Sequence, residues 1–362
     1  MSIQNFLRTG ILALATLAVA GCEPPTAEST QNGYRGTGML QVQQPYREAE
    51  LREANQAPEP ASPAVPNTPP YAKDIYQNVE VLGDLSVANF TRLMGAITQW
   101  VSPEEGCTYC HYEGNFAKEG MYTKTVSRRM LQMTQHINEN WSSHVQETGV
   151  TCYTCHRGMN VPQYIWFEDP GPDTAAQFAG WKNDQNQPGL AKTAYSDLPY
   201  DALEELLVDD NEIRVQPTSA LPSDYVASIH DTENTYSLMM HMADSLGVNC
   251  TFCHNSRSWG SWEQSTPQRV TAWYGIRMAR DVNVDYLDPL QPVYPDNRLG
   301  PTGDAPKGSC ATCHQGVNKP LYGAPMAEDY PSLQSTSTDG SPLFEAPMAL
   351  NVEADLAETS GN

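Results

Sequence analysis

The 362-residue chain is short of bases: 21 lysines and arginines stand against 43 aspartates and glutamates, a formal net charge of −22. Such an excess of one sign argues against nucleic acid as a partner and against a surface that grips anionic lipid. It fits a solvated surface or a basic protein partner. Apolar residues are modest, at 40%, and nothing after Cys22 reads as a membrane-spanning helix. Thiols are fully committed as well. Eight of the nine cysteines lie in four pairs of identical spacing and the ninth, Cys22, ends a separate signal, so disulfides are not expected.

What is present is a repeated pentapeptide: Cys107-Thr108-Tyr109-Cys110-His111, Cys152-Tyr153-Thr154-Cys155-His156, Cys250-Thr251-Phe252-Cys253-His254 and Cys310-Ala311-Thr312-Cys313-His314. Cys-x-x-Cys-His is the attachment signature of a c-type haem. Its two thiols add to the porphyrin vinyl groups, and the adjacent histidine lies under the iron as proximal ligand. A zinc ribbon or a thiol–disulfide site also uses Cys-x-x-Cys, but neither explains a histidine after every pair. Four covalently bound haem c groups are therefore expected. His111, His156, His254 and His314 are their expected proximal ligands. Four porphyrins bring apolar surface that the polypeptide need not supply, so folding should depend on haem.

Arg8, an apolar run over residues 11–20 too short to span a bilayer comfortably, and the small residues of Val19-Ala20-Gly21-Cys22 read as a bacterial lipoprotein signal. Residues 1–21 would be removed and Cys22 lipidated. Two or three acyl chains anchor a soluble domain stably, where one binds marginally. An ordinary secretory signal with an incidental cysteine, or an uncleaved short anchor, would export the chain equally. Export fits covalent haem attachment.

Residues 22–71 are proline-rich, with Pro58, Pro60, Pro63, Pro66, Pro69 and Pro70 at their end, and read as an extended, lipidated tether. Residues 72–330 hold all four motifs. Residues 331–362 read as an acidic flexible tail. The motifs come as two pairs separated by a longer gap, and segments of helical character precede them at residues 87–101, 124–144, 233–246 and 266–282. Pro267 suits a first helical turn, and Arg129-Met130 matches Arg277-Met278 locally. The expected fold is a mainly α, irregular multihaem cytochrome of two pseudo-repeated halves, about 72–165 and 225–330, each binding two c-type haems.

A haem iron with one protein ligand is open to substrate, whereas a second strong ligand closes it for electron transfer. Met94 and Met239 lie on helical segments 17 and 15 residues before His111 and His254, and Met130 occupies a comparable place on the segment before His156, each able to offer a thioether sulfur. Methionine is also ordinary filler of apolar helix faces, and the chain has 13, with Met133, Met240, Met242 and Met278 nearby. On a continuous helix over residues 124–144, Met130 and His144 would stand roughly 21 Å and about 40° apart. One iron cannot take both, so His144 would reach another haem. His136 reads as a surface or packing histidine, and His230 and His241 as capping or polar-face residues.

Beyond the pentapeptides and the three methionines, further runs carry a resemblance: Asn140-Trp141-Ser142-Ser143-His144-Val145, Met239-Met240 before Cys250, Ala272-Trp273-Tyr274-Gly275-Ile276-Arg277-Met278, and Cys313-His314-Gln315-Gly316-Val317 followed by Lys319-Pro320-Leu321-Tyr322-Gly323. Together they resemble the tetrahaem cytochrome subunit of purple bacterial photosynthetic reaction centres, over about residues 71–330 and in the lipoprotein signal. The resemblance implies axial pairs of Met94 with His111, Met130 with His156, Met239 with His254 and His144 with His314. Met278 is the rival of His144, and a bis-His site has a lower potential than Met ligation would give.

The resemblance also implies serial electron transfer at the periplasmic face of the photosynthetic inner membrane. A soluble periplasmic cytochrome or high-potential iron-sulfur protein would reduce the array at the Cys107/Cys110 haem. The Cys250/Cys253 haem would re-reduce the photo-oxidised special pair held by the reaction-centre L and M subunits. Such a chain is an electron-transfer subunit rather than an enzyme. A multihaem enzyme or quinol dehydrogenase would need an open iron or a membrane helix beside a quinol site, whereas eight candidate ligands serve four irons here. The motifs alone allow a freestanding periplasmic storage cytochrome, but the lipid anchor and the extent of the resemblance argue against it.

Overall fold

The computed structural model describes residues 26–31, 39–59, 63–170, 198–199, 201–215 and 227–334. The signal segment and Cys22 lie outside the described residues. The fold is mainly helical. A two-stranded antiparallel sheet, β1 (Glu28–Gln31) with β2 (Leu40–Gln43), precedes α1 (Pro45–Ala54), α2 (Ala72–Ile75) and α3 (Val87–Val101). The chain continues through α4 (Tyr122–Asn140), α5 (Ser142–Val145), α6 (Cys152–His156), α7 (Ala202–Leu207), α8 (Ile229–Leu246), α9 (Pro267–Asp281) and α10 (Cys310–His314).

Two small apolar clusters take the place of one large core. The first joins Leu93 and Trp100 of α3, Leu131 of α4, and Tyr330 and Leu333 from the chain's last described turn. The second joins Trp166, three leucines of α7, Leu238 of α8 and Ile276 of α9. Helix α3 forms as its sequence directs. The Ser86 hydroxyl accepts the Asn89 N–H at 3.3 Å as N-cap, and Phe90, Leu93, Ile97 and Trp100 recur along one face. Phe90, Met94, Ile97 and Val101 also line the cavity described below.

Four expectations need correction. The helix expected over residues 124–144 is not continuous: α4 ends at Asn140, Trp141 leaves helical geometry (φ −112°, ψ 28°), and α5 restarts with His144 in it. Asn140 turns its side chain back onto His136, donating to the ring Nδ1 at 3.0 Å and to the carbonyl at 3.3 Å, the local competition that makes asparagine a helix stopper. The Trp141 indole is meanwhile drawn across to the Asp281 carboxylate of α9. The spacing argument between Met130 and His144 therefore does not apply.

Part of the stretch expected to be an extended tether is folded. Gln41 bonds both ways to the turn after α8, donating to the Gly247 carbonyl at 3.1 Å and accepting the Asn249 N–H at 2.9 Å. Asn55, buried, donates to the carbonyls of Leu51 and Gln315 at 3.0 and 3.2 Å. Residues 39–55 thus strap the loops of the third and fourth motifs. Of the expected tail, residues 331–334 are folded and residues 335–362 lie outside the described residues. Leu333 is fully buried, and Asn138 of α4 donates to its carbonyl at 2.6 Å.

Helix α8 begins four residues ahead of the expected 233, because Ser228 and Asp231 cap each other reciprocally. It ends at Gly247, whose φ of +62° is the left-handed cap that glycine supplies. A Cβ there would stand 2.1 Å from the Gly316 carbonyl oxygen. The turn after the fourth motif is seated directly on this glycine.

Candidate haem cavity

Between the two apolar clusters lies a largely apolar cavity of about 1400 Å³, larger than the roughly 300–1,000 Å³ that suits one small ligand. Both cysteines and the histidine of the first, second and fourth motifs line it, with Met94, Met130 and His144. The third motif reaches it through Phe252 and Cys253 only. Met239 packs instead against the second apolar cluster. Met133, Met242 and Met278 also face the cavity, so thioether sulfur is available beyond the expected ligands.

The motifs adopt two local geometries. The second and fourth are single helical turns, α6 and α10, in which Thr154 and Thr312 accept the N–H of Thr151 and Ser309. Each ends on a left-handed residue, Arg157 (φ 52°) or Gln315 (φ 49°), followed by a left-handed glycine. The first and third are 3₁₀ turns, Gly106–Tyr109 and Cys250–Phe252. Beside their histidines stand aromatic rings, Phe116 at 5.0 Å from His111 and Trp259 at 5.4 Å from His254.

A feature not read from the sequence separates the four motif histidines and His144 from the rest. His111, His144, His156 and His314 direct Nδ1 to the carbonyls of Phe116, Thr271, Met159 and Val317 at 2.9 Å, and His254 directs its own to Trp259 at 3.1 Å. A backbone carbonyl on Nδ1 fixes the tautomer and leaves Nε2 as the ligating nitrogen. His136 is bound differently, with Nε2 at 2.6 Å from Asp281, and His241 sits against Ser245 on its own helix. His230 lies 3.7 Å from Glu233.

His144 of α5 and His314 of α10 face each other with ring centres 6.0 Å apart. An atom held at about 2 Å from one nitrogen of each ring, with about 1 Å more to each ring centre, requires about 6 Å. His144 is placed from α9: Thr271 takes its Nδ1–H, and Gly275, one turn on, lies flat against the ring, where a Cβ would stand 2.5 Å from Cε1. Burial pushes the His144, His156 and His254 imidazoles below the ordinary value and His314 down to about 4. Neutral imidazole is the form that binds metal. Burial also pushes the Cys152 and Cys310 thiols up to about 12 and Cys253 up to about 11. This cavity accommodates neutral sulfur, and a thioether is neutral.

Paired sulfurs with a carbonyl-anchored imidazole after each pair, around a largely apolar cavity, fit haem and define the chain as a c-type cytochrome. The family model described as "Photosynthetic reaction centre cytochrome C subunit" matches residues 23–334. The photosynthetic reaction center cytochrome c subunit of Rubrivivax gelatinosus is 51% identical over 325 residues, covering 90% of this chain and 88% of that protein. That of Thermochromatium tepidum is 49% identical over 334 residues, covering 92% and 82%. Cytochrome c-554 of Chloroflexus aurantiacus is 29% identical over 296 residues, covering 67% and 69%.

The chain belongs to the photosynthetic reaction centre cytochrome c subunit family. Membership carries covalently bound c-type haem, electron transfer to the reaction centre and a place at the membrane. Among the described residues no helix is long and apolar enough to cross a bilayer.

Proposed function

We propose that this chain binds four c haems and passes electrons one at a time along them from a soluble periplasmic donor to the photo-oxidised special pair. The observation that carries this reading is contiguity. Helix α3, bearing Met94, packs on α6; α6 packs on α10; α10 packs along α8, bearing Met239. The motifs, taken with the helices that carry the proposed methionine ligands, therefore follow one another in the order first, second, fourth, third, a serial path with one end at each extreme. Bound c haem supplies a one-electron ferric/ferrous couple. The protein's own residues hold each couple in place and set its potential.

The proposed axial pairs are Met94 with His111, Met130 with His156, Met239 with His254, and His144 with His314. His144 is preferred to Met278 because its ring faces His314 at the spacing a shared atom requires and its Nδ1 is anchored. The reading of two pseudo-repeated halves is supported by the alternation of 3₁₀ and α-helical motifs, first like third and second like fourth. The proposed placement is the periplasmic face of the photosynthetic membrane, anchored by lipid on Cys22 and docked on the L and M subunits. A soluble cytochrome or a high-potential iron-sulfur protein would serve as donor.

Haem content and magnetic circular dichroism of the purified full-length chain test the assignment. The expected result is four haems per chain, three with thioether–imidazole and one with bis-imidazole ligation. Fewer than four haems, or no bis-imidazole centre, would overturn it.

A further inference from the structure

The cavity wall inverts the charge of the molecule. In a chain of net charge −22, five cationic side chains line the cavity among the described residues, Lys124, Arg128, Arg298, Lys307 and Lys319, against one acid, Glu80. Three of the cations are answered by protein carboxylates: Lys124 by Glu119 at 3.0 Å, Arg128 by Glu80 and Glu119 at 3.0 and 2.8 Å, and Lys307 by Asp304 and Glu168 at 2.7 and 3.2 Å. Lys319 is exposed.

Arg298 is the exception. It is partly buried, and among the described residues its hydrogen bonds go to phenol oxygens: Nε donates to Tyr122 at 3.2 Å and Nη2 to Tyr109 at 3.3 Å. Tyr122, Tyr109 and a third phenol, Tyr294, line the same wall. Tyr294 stays neutral because burial pushes it up to about 12. Neutral phenols do not compensate a guanidinium, whose five donors in a planar fork match a carboxylate. Each phenol that accepts from Arg298 keeps its own O–H to donate. A cation without a carboxylate partner and two hydroxyl donors on the wall of a largely apolar cavity form a carboxylate site, and each c haem carries two carboxylates, its propionates.

We propose that Arg298, with Tyr109 and Tyr122, binds a propionate of one of the haems in this cavity and by its fixed charge raises that haem's potential. The inference rests on haem occupancy of the cavity. A cation beside a haem disfavours the additional positive charge of the ferric state, so removing it makes that haem harder to reduce. The effect belongs to one haem because the guanidinium has one place on the wall.

The test uses the full-length haem-loaded protein with Arg298→Gln, Arg298→Lys and Tyr122→Phe variants. Haem per chain is counted first, then a spectrally resolved redox titration is run, with infrared redox-difference spectra of protein carrying isotopically labelled propionates. In R298Q the haem count should hold and one potential should fall by at least the 59 mV that corresponds to a tenfold change for a one-electron couple. R298K keeps the charge but not the fork, so its potential should fall less while the labelled carboxylate band still moves. Y122F should shift the same haem by less than R298Q does.

Four potentials within tenfold of wild type and an unmoved band in R298Q would overturn the proposal, as would an equal shift of all four haems. If R298Q does not accumulate, an unmoved band in R298K overturns it alone. A wild-type chain without haem would sink the proposed function, and this inference with it.

Discussion

Replacing Gly275 by alanine tests the placement of His144 with a single methyl group. Gly275 lies inside α9 with ordinary helical geometry, so helix propensity alone favours alanine by about 0.8–1 kcal/mol. The new Cβ, however, would stand 2.5 Å from His144 Cε1, 2.8 Å from Nδ1 and 3.1 Å from Nε2. Ordinary contact between carbons is about 3.5–4.0 Å, so the ring must retreat by about 1 Å. Metal–ligand distances tolerate only about 0.2 Å. The ring therefore cannot keep both its bond to Thr271 and a place on the iron. Overpacking of this kind costs about 1–3 kcal/mol, which the propensity gain partly offsets. Stability should fall by no more than about 2 kcal/mol, while one spectroscopic signature changes completely. Magnetic circular dichroism of Gly275→Ala should show the bis-imidazole centre lost or altered and the other haems untouched. An unchanged bis-imidazole spectrum would refute the assignment of His144.

The remaining expectations concern separate parts of the fold. His144→Met should raise the potential of the His314 haem by more than about 59 mV, the tenfold mark for a one-electron couple, and leave the Met130 haem little changed in a redox titration; the reverse result would assign His144 to the wrong iron. Asp281→Ala leaves the Trp141 indole and His136 Nε2 without their acceptor, so chemical denaturation should show a loss of about 1–3 kcal/mol, and wild-type stability would mean that the break at Trp141 is held by other contacts. Hydrogen bonds from Arg128, Lys124 and Asn78 hold the Glu119 carboxyl down to about 2 from 4.5. A depressed carboxylate contributes stability that is present above pH 4.5 and lost as pH falls towards 2; Glu119→Gln should flatten the stability–pH curve in that window, and an unaltered slope would contradict the assignment.

The chemistry-bearing residues were legible because attachment of haem needs a fixed local spacing, and Cys-x-x-Cys-His is read without knowledge of the fold. Helix α3 matched its expected bounds because Ser86 and a regular apolar face mark it. Pro267 likewise marks the first turn of α9. The capping pair Ser228 and Asp231 was equally local and would have set the start of α8. Other features depend on distant partners. The break at Trp141 depends on Asp281 of another helix, and the strap over residues 39–55 depends on glycine turns two hundred residues away. Helix α1 buries no side chain of its own, so it gave no amphipathic signal. The carbonyl partners of the histidines carry no side-chain identity at all, which is why tautomer fixing could not be read from sequence.

The central claim is electron delivery to the reaction centre. Flash-induced absorbance of the c-type α-band in native membranes, poised with the haems reduced, measures it directly. Rapid haem oxidation that matches the recovery of the special pair after one saturating flash, with no soluble cytochrome added, is the predicted result. Reduced haems that stay reduced through the flash would contradict the account and favour a freestanding carrier.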